Sequence, residues 1–193
     1  MIPITSAGVT NLISDFEGNN ITSFYLTLPV PSWLIFLRNL LFYSFNIATL
    51  AILVLPVSKL LVWNNFDLSQ FSLLKFIIIF ILTNLFYASF TLWTTSYVEN
   101  MEKIGSVWMR YVYPLWILGG FQYSYKVLHS FNPILAYISL INPIIYIMEG
   151  TRAAILGQEN SLPFWLCICM LLGFTIFCGA LGITGLKKRL DFI

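Results

Sequence analysis

The chain has 193 residues, of which 59% are hydrophobic, 17% are aromatic and only 9% are charged. A soluble globular domain carries about a quarter charged residues. This composition, with a mean hydropathy of +0.84, therefore excludes a soluble enzyme, a nucleic-acid-binding protein and a disordered tail. We expect an all-α integral membrane protein that forms a single transmembrane domain over residues 1–193.

The first 31 residues are predicted not to cross the membrane, because Asp15 and Glu17 interrupt them and Pro29 and Pro31 end them. Part of this region, residues 7–24, has apolar residues at helical spacing, which predicts an amphipathic helix that lies on the membrane surface. Those apolar residues are Val9, Leu12, Ile13 and Phe16.

Four transmembrane helices are predicted after this region. A helix needs about 20 apolar residues to cross the hydrocarbon core, and the positions of the few charged residues divide the chain into predicted spans at 32–62, 71–98, 104–121 and 162–187. The third span contains Arg110, and we expect it to be kinked near Pro114. The basic cluster of residues 187–189 follows the last span directly, which predicts a cytoplasmic C-terminus.

Residues 122–160 are predicted to hold a re-entrant helical hairpin before the last span. Asn132-Pro133 and Asn142-Pro143 interrupt an otherwise uncharged run, and each Asn-Pro pair favours the start or the end of a helix. Near the end of this region Glu149 and Arg152 are spaced to pair on a helix. The pair is either an ordinary surface ion pair or a brace between the re-entrant segment and the last span.

The sequence contains no motif for catalysis, for metal binding or for nucleotide binding. His129 is the only histidine, and Cys167 and Cys169 are two residues apart, so that they face different ways on a helix. We therefore expect no catalytic residue, no metal and no cofactor. The near absence of charge within the spans also argues against a proton or ion relay.

Two groups of motifs point to a known family. The first is Ser14-Asp15-Phe16-Glu17-Gly18, followed by Tyr25-Leu26-Thr27-Leu28-Pro29. The second consists of Pro114, Leu118-Gly119-Gly120-Phe121, Asn142-Pro143-Ile144-Ile145-Tyr146 and Glu149-Gly150-Thr151-Arg152. In their order and in their spacing relative to the spans, these motifs resemble the permease subunit of an ABC-2 type transporter.

The resemblance implies an exporter subunit that forms the translocation path in the plasma (inner) membrane, while a separate ABC ATPase subunit hydrolyses ATP. It implies a homodimer or a permease pair embedded in membrane lipid, and no nucleic acid. It places the contact with the ATPase on a cytoplasmic coupling helix at Asp15, Phe16, Glu17 and Gly18. It assigns support of the re-entrant segment and gate to Gly119, Gly120, Pro143, Tyr146, Glu149 and Arg152.

Family permeases have two further spans before the coupling helix, so we expect this chain to be a fragment that lacks them. The alternative function is a non-transporting membrane scaffold or assembly protein, or an inactive permease fragment. An ATP-binding partner would discriminate between the two readings. Separately, Thr175, Gly179 and Gly182 in the last span are spaced to let another helix approach closely, either from the same chain or from a second copy.

Overall fold

The computed structural model describes residues 8–10, 13, 32–52, 56–57, 60, 70–98, 101–158 and 161–191. Within these residues the backbone is helical between short turns and contains no strand. The prediction of an all-α protein is therefore confirmed.

Eight α-helices are defined by the described residues. In chain order they are α1 (Ser32–Ile52), α2 (Leu73–Tyr97), α3 (Ile104–Val107), α4 (Tyr113–Ile117), α5 (Tyr125–Phe131), α6 (Pro133–Ser139), α7 (Pro143–Ile155) and α8 (Phe164–Asp191). A 3₁₀ turn, Met101–Lys103, precedes α3, and a π-helical turn, Trp108–Val112, separates α3 from α4.

Two of the described helices are long and apolar enough to cross a membrane, namely α2 and the Phe164–Lys188 part of α8. The pair α6 and α7 is bent by 98° at its break, and it is either one broken span or a re-entrant loop. The described residues thus support two or three spans, and the predicted number of four is not confirmed.

The segment predicted as the third span is broken at more points than a single kink at Pro114 would cause. The π-helical turn lies just before Pro114, and α4 ends at Ile117 after only five residues. Proline has no N–H to donate to the carbonyl four residues earlier, which here belongs to Arg110. The helix is therefore disturbed in the turn that precedes Pro114, and the segment is a series of short helical pieces.

By their contacts the residues group into two compact units. The first unit comprises residues 1–51, 84–107 and 175–193, and the second comprises residues 52–83 and 108–174.

In the first unit, three glycines of α8 lie close to α2, and we call Gly179, Gly182 and Gly185 the glycine seam. A Cβ added at Gly182 would lie 2.8 Å from the backbone nitrogen of Trp93. A Cβ at Gly185 would lie 2.7 Å from the Cβ of Ser96. Close approach of backbones through small residues is how helices pack in a membrane. The small face predicted on the last span thus contacts a helix of the same chain.

Also in the first unit, residues 8–10 and 13 are helical, whereas the rest of the predicted surface helix at 7–24 lies outside the described residues. Val9 and Ile13 are fully buried and pack in one cluster with Val98. Partly buried Ile104 and Val107 complete this cluster. The side chains of Val9 and Ile13 therefore contact other residues of the protein.

Candidate functional site

The predicted re-entrant segment lies in the second unit, and α7 is its central element. Asn142 begins this helix, because its Oδ1 accepts a hydrogen bond from the backbone N–H of Ile144 at 3.0 Å. Pro143 occupies the first helical position, where its missing N–H costs nothing. The Asn142 side chain also donates through Nδ2 to the carbonyl of Leu115 in α4. One amide side chain therefore starts α7 and ties it to the preceding span segment.

Two glycines allow the chain after α4 to lie directly against α7. A Cβ added at Gly119 would lie 2.6 Å from Ile144 Cγ2, which is closer than real side chains approach. Gly120 has φ of +71°, a left-handed conformation that side chains other than glycine rarely adopt. Its position is also close to Ile145, whose Cγ1 would lie 3.2 Å from an added Cβ. Both positions therefore require glycine, for close packing at Gly119 and mainly for backbone conformation at Gly120.

Glu149, in α7, is completely buried and accepts three hydrogen bonds. Its Oε1 accepts from the backbone N–H of Tyr125 at 3.0 Å and from Arg152 Nη1 at 2.7 Å. Its Oε2 accepts from the backbone N–H of Leu162 at 3.0 Å. The carboxylate therefore joins the start of α5, the middle of α7 and the loop that leads into α8.

Arg152 extends this arrangement towards the end of the predicted third span. Its Nη2 donates to the carbonyl oxygens of Gly120 at 2.7 Å and of Phe121 at 3.4 Å. We call the set of residues Gly120, Phe121, Tyr125, Glu149, Arg152 and Leu162 the clasp. A buried carboxylate is tolerated when a cation and further donors compensate its lost hydration, and the clasp supplies one cation and two backbone N–H groups.

Tyr146 anchors the opposite part of α7. Its hydroxyl donates to the carbonyl of Leu140 at 2.7 Å, across the bend between α6 and α7. Its ring lies 6.2 Å from that of Phe174, and the side chain is buried in a cluster with Ile145 and Cys167. Tyr146 therefore fixes the bend and packs α7 against α8.

All six residues expected to support the re-entrant segment lie on α7 or in the chain against it. Glu149 and Arg152 pair, and Leu162 connects the pair to the beginning of α8.

Sequence reasoning missed the amides of Tyr125 and Leu162, because backbone groups leave no signature in side-chain identity. It used Asn142 only as a helix break, although the Asn-Pro pair also signals an N-cap. The expected coupling residues Asp15, Phe16, Glu17 and Gly18 lie outside the described residues.

The arrangement can fix backbone in place but offers no reactive centre. In the part of the chain that the structure describes, no group of three or more His, Cys, Asp or Glu side chains is placed to hold a metal ion. The clasp is therefore a positioning site, whose chemistry is the satisfaction of backbone donors and acceptors at a break between helices.

The family model described as ABC-2 type transporter matches residues 1–156. No curated protein and no solved structure matches the chain.

Proposed function

We propose that this chain, which belongs to the ABC-2 type transporter family, is the permease subunit of an ATP-driven exporter. Membership makes it an integral membrane protein with a permease-type role in ABC transport. The family match over residues 1–156, most of the chain, is the observation that carries the proposal.

In the proposed mechanism the spans form the translocation path in the plasma (inner) membrane, as a homodimer or a permease pair. A separate ABC ATPase subunit hydrolyses ATP on the cytoplasmic side, where the C-terminus also lies. The ATPase acts on the permease through Asp15, Phe16, Glu17 and Gly18. A rigid helix that protrudes from the membrane is what a moving ATPase subunit needs to push against.

The clasp supports the proposal because a transport pathway needs broken helices that keep a defined shape. Non-helical backbone at membrane depth is tolerated only where protein or a wet cavity covers it. Here the buried Glu149 binds two backbone N–H groups at breaks between helices, and Arg152 binds two carbonyls. We propose that Gly119, Gly120, Pro143, Tyr146, Glu149 and Arg152 hold this segment as the support of an extracytoplasmic gate.

The experiment that tests the coupling uses the chain co-expressed with an ABC ATPase encoded beside its gene. We expect the two proteins to purify together, and Glu17→Arg to reduce the recovered ATPase several-fold because it reverses a charge at the contact. Glu102→Arg is the matched control. It makes the same charge reversal on the side predicted to be cytoplasmic, at an exposed residue outside the coupling motif, and it should leave recovery unchanged.

Equal recovery of the ATPase with wild type and Glu17→Arg would remove the coupling role of this motif. If the chain binds no ATPase at all, the exporter proposal fails, and a non-transporting scaffold becomes the better-supported function. ATP-dependent efflux from vesicles that contain both subunits, abolished by Glu17→Arg, would establish the proposed function directly.

A further inference from the structure

Arg110 is a charged residue at an unusual place in the sequence. It is the seventh residue of the predicted span 104–121, about 9 Å from the start of that span at the helical rise of about 1.5 Å per residue. A charged side chain at such a depth is expensive unless it is paired or hydrated, and it commonly marks a functional site.

The backbone at Arg110 is irregular as well. The residue is the centre of the π-helical turn Trp108–Val112, and single π-helical turns occur frequently at functional sites. Its side chain is exposed, as are those of its neighbours Met109 and Tyr111. Among the described residues Arg110 has no ion-pair partner. The turn therefore presents a guanidinium group and an aromatic ring on one exposed stretch of chain.

The distribution of acidic residues shows where a counter-charge could come from. None of the eight Asp and Glu residues of the sequence falls within the predicted spans, and none occurs between Tyr111 and Met148. Glu149 already binds three donors in the clasp. A second copy of the chain has the same spans, so it also offers no carboxylate within them. Within the predicted spans the chain therefore offers Arg110 no carboxylate, which leaves its exposed guanidinium group open to an anion from outside the protein.

We propose that Arg110 binds the anionic headgroup, a phosphate or a carboxylate, of an amphiphile at the π-helical turn. The planar guanidinium group binds either anion through two parallel hydrogen bonds. Trp108 and Tyr111 belong to the same turn, and aromatic rings suit the boundary between headgroup and acyl chain. This inference rests on the proposed function, and it assigns anionic amphiphiles to the site as bound lipid or as cargo.

The test uses the full chain in nanodiscs of phosphatidylcholine and measures quenching of tryptophan fluorescence by brominated amphiphiles. One arm adds brominated phosphatidylglycerol, a lipid, and the other adds a brominated alkyl phosphate with a single chain. Brominated phosphatidylcholine, which carries no net charge, gives the baseline. Trp108→Phe identifies the part of the signal that arises beside Arg110.

We expect both anionic probes to quench Trp108 more than the baseline lipid does. Arg110→Gln should weaken this binding by about tenfold, which corresponds to the loss of a charge-assisted hydrogen bond. Arg110→Lys keeps the charge but not the two parallel hydrogen bonds, so it should weaken the binding less than Arg110→Gln does. Lys126→Gln is the matched control, since it removes one exposed positive charge outside the predicted spans and should change nothing.

If only phosphatidylglycerol quenches more than the baseline lipid, the ligand is a membrane lipid. If only the alkyl phosphate does so, the ligand is a cargo-like amphiphile with a single chain. Quenching that does not exceed the baseline, or that Arg110→Gln leaves unchanged, overturns the proposal. The ATPase is absent from this assay, so its outcome is independent of the coupling test at Glu17.

Discussion

The glycine seam and the clasp hold helices together by opposite means. In the seam, α8 approaches α2 because glycines leave the space empty, and a Cβ at Gly182 would collide with the backbone of Leu92 and Trp93. In the clasp, a fully buried carboxylate and a guanidinium group occupy the space between segments and bind their backbone groups.

The difference follows from the regularity of the backbone on each side. The long helices α2 and α8 satisfy their own backbone hydrogen bonds, so nothing but close contact is needed between them. The chain around α7 is broken at several points, and each break frees donors and acceptors that need partners elsewhere in the protein. Regular spans therefore pack through small residues, whereas broken segments need buried polar side chains.

Removing the carboxylate of the clasp should have the largest effect. We expect Glu149→Ala to destabilise the protein by about 3–5 kcal/mol, because it leaves Arg152 without its counter-charge and two backbone N–H groups without an acceptor. Thermal unfolding of the purified chain in detergent measures this change. Glu149→Gln keeps the shape and should lose less. A loss below about 1 kcal/mol for the alanine variant, the range of an exposed ion pair, would show that the pair is an ordinary surface contact.

The pair can be examined further by a double-mutant cycle on transport. Arg152→Ala and Glu149→Ala should each reduce ATP-driven efflux strongly, and the double variant should lose little more than either one, because both changes break the same clasp. Losses that add fully would separate the two residues and contradict the idea that they act together.

The glycine seam should be sensitive to size alone. We expect Gly182→Ala to destabilise by about 1–3 kcal/mol, since the new methyl group meets backbone atoms that cannot move aside easily. Gly173→Ala, in the same helix, has no atom within 4 Å of the added Cβ. It should be neutral or stabilising by up to about 1 kcal/mol, the difference in helix propensity. If denaturant unfolding shows equal changes in stability for both variants, the close packing at Gly182 does not stabilise the protein.

The smallest effect concerns the two helix-starting asparagines of the broken segment. Asn132 caps α6 through Oδ1, which accepts from Ile134 and Leu135. Asn132→Ala should cost about 1 kcal/mol, as is usual for an N-cap. Asn142→Ala removes a cap and the bond to Leu115, and should cost roughly twice as much. If unfolding shows the same loss for both, the tie between α4 and α7 contributes nothing to stability.

Sequence patterns predicted the features that depend on side-chain type and spacing. The helical class, the breaks at Asn132 and Asn142 and two glycines of the seam follow from composition, from proline chemistry and from regular spacing. The pairing of Glu149 with Arg152 needed only their separation along a helix. Gly185 was missed, although it continues the same small face.

Features that depend on distant backbone groups were beyond prediction. The donors to Glu149 include an amide 24 residues before it and another 13 residues after it, and any residue except proline supplies such a group. The sequence predicts only a kink near Pro114, because it shows which residue lacks an N–H group. It does not show that the preceding turn becomes π-helical. The prediction of four spans is not confirmed by the described residues, since broken helices do not follow a length rule.

The hydrogen bond from Leu162 has a consequence for biosynthesis. Glu149 leaves the ribosome before Leu162 does, so a nascent chain that ends between Arg152 and Leu162 offers the carboxylate only two of its three donors. The arginine and the amide of Tyr125 are already present at that stage, and the third donor arrives with the start of α8. The broken segment can therefore complete its hydrogen bonding only once synthesis has reached the start of the last helix.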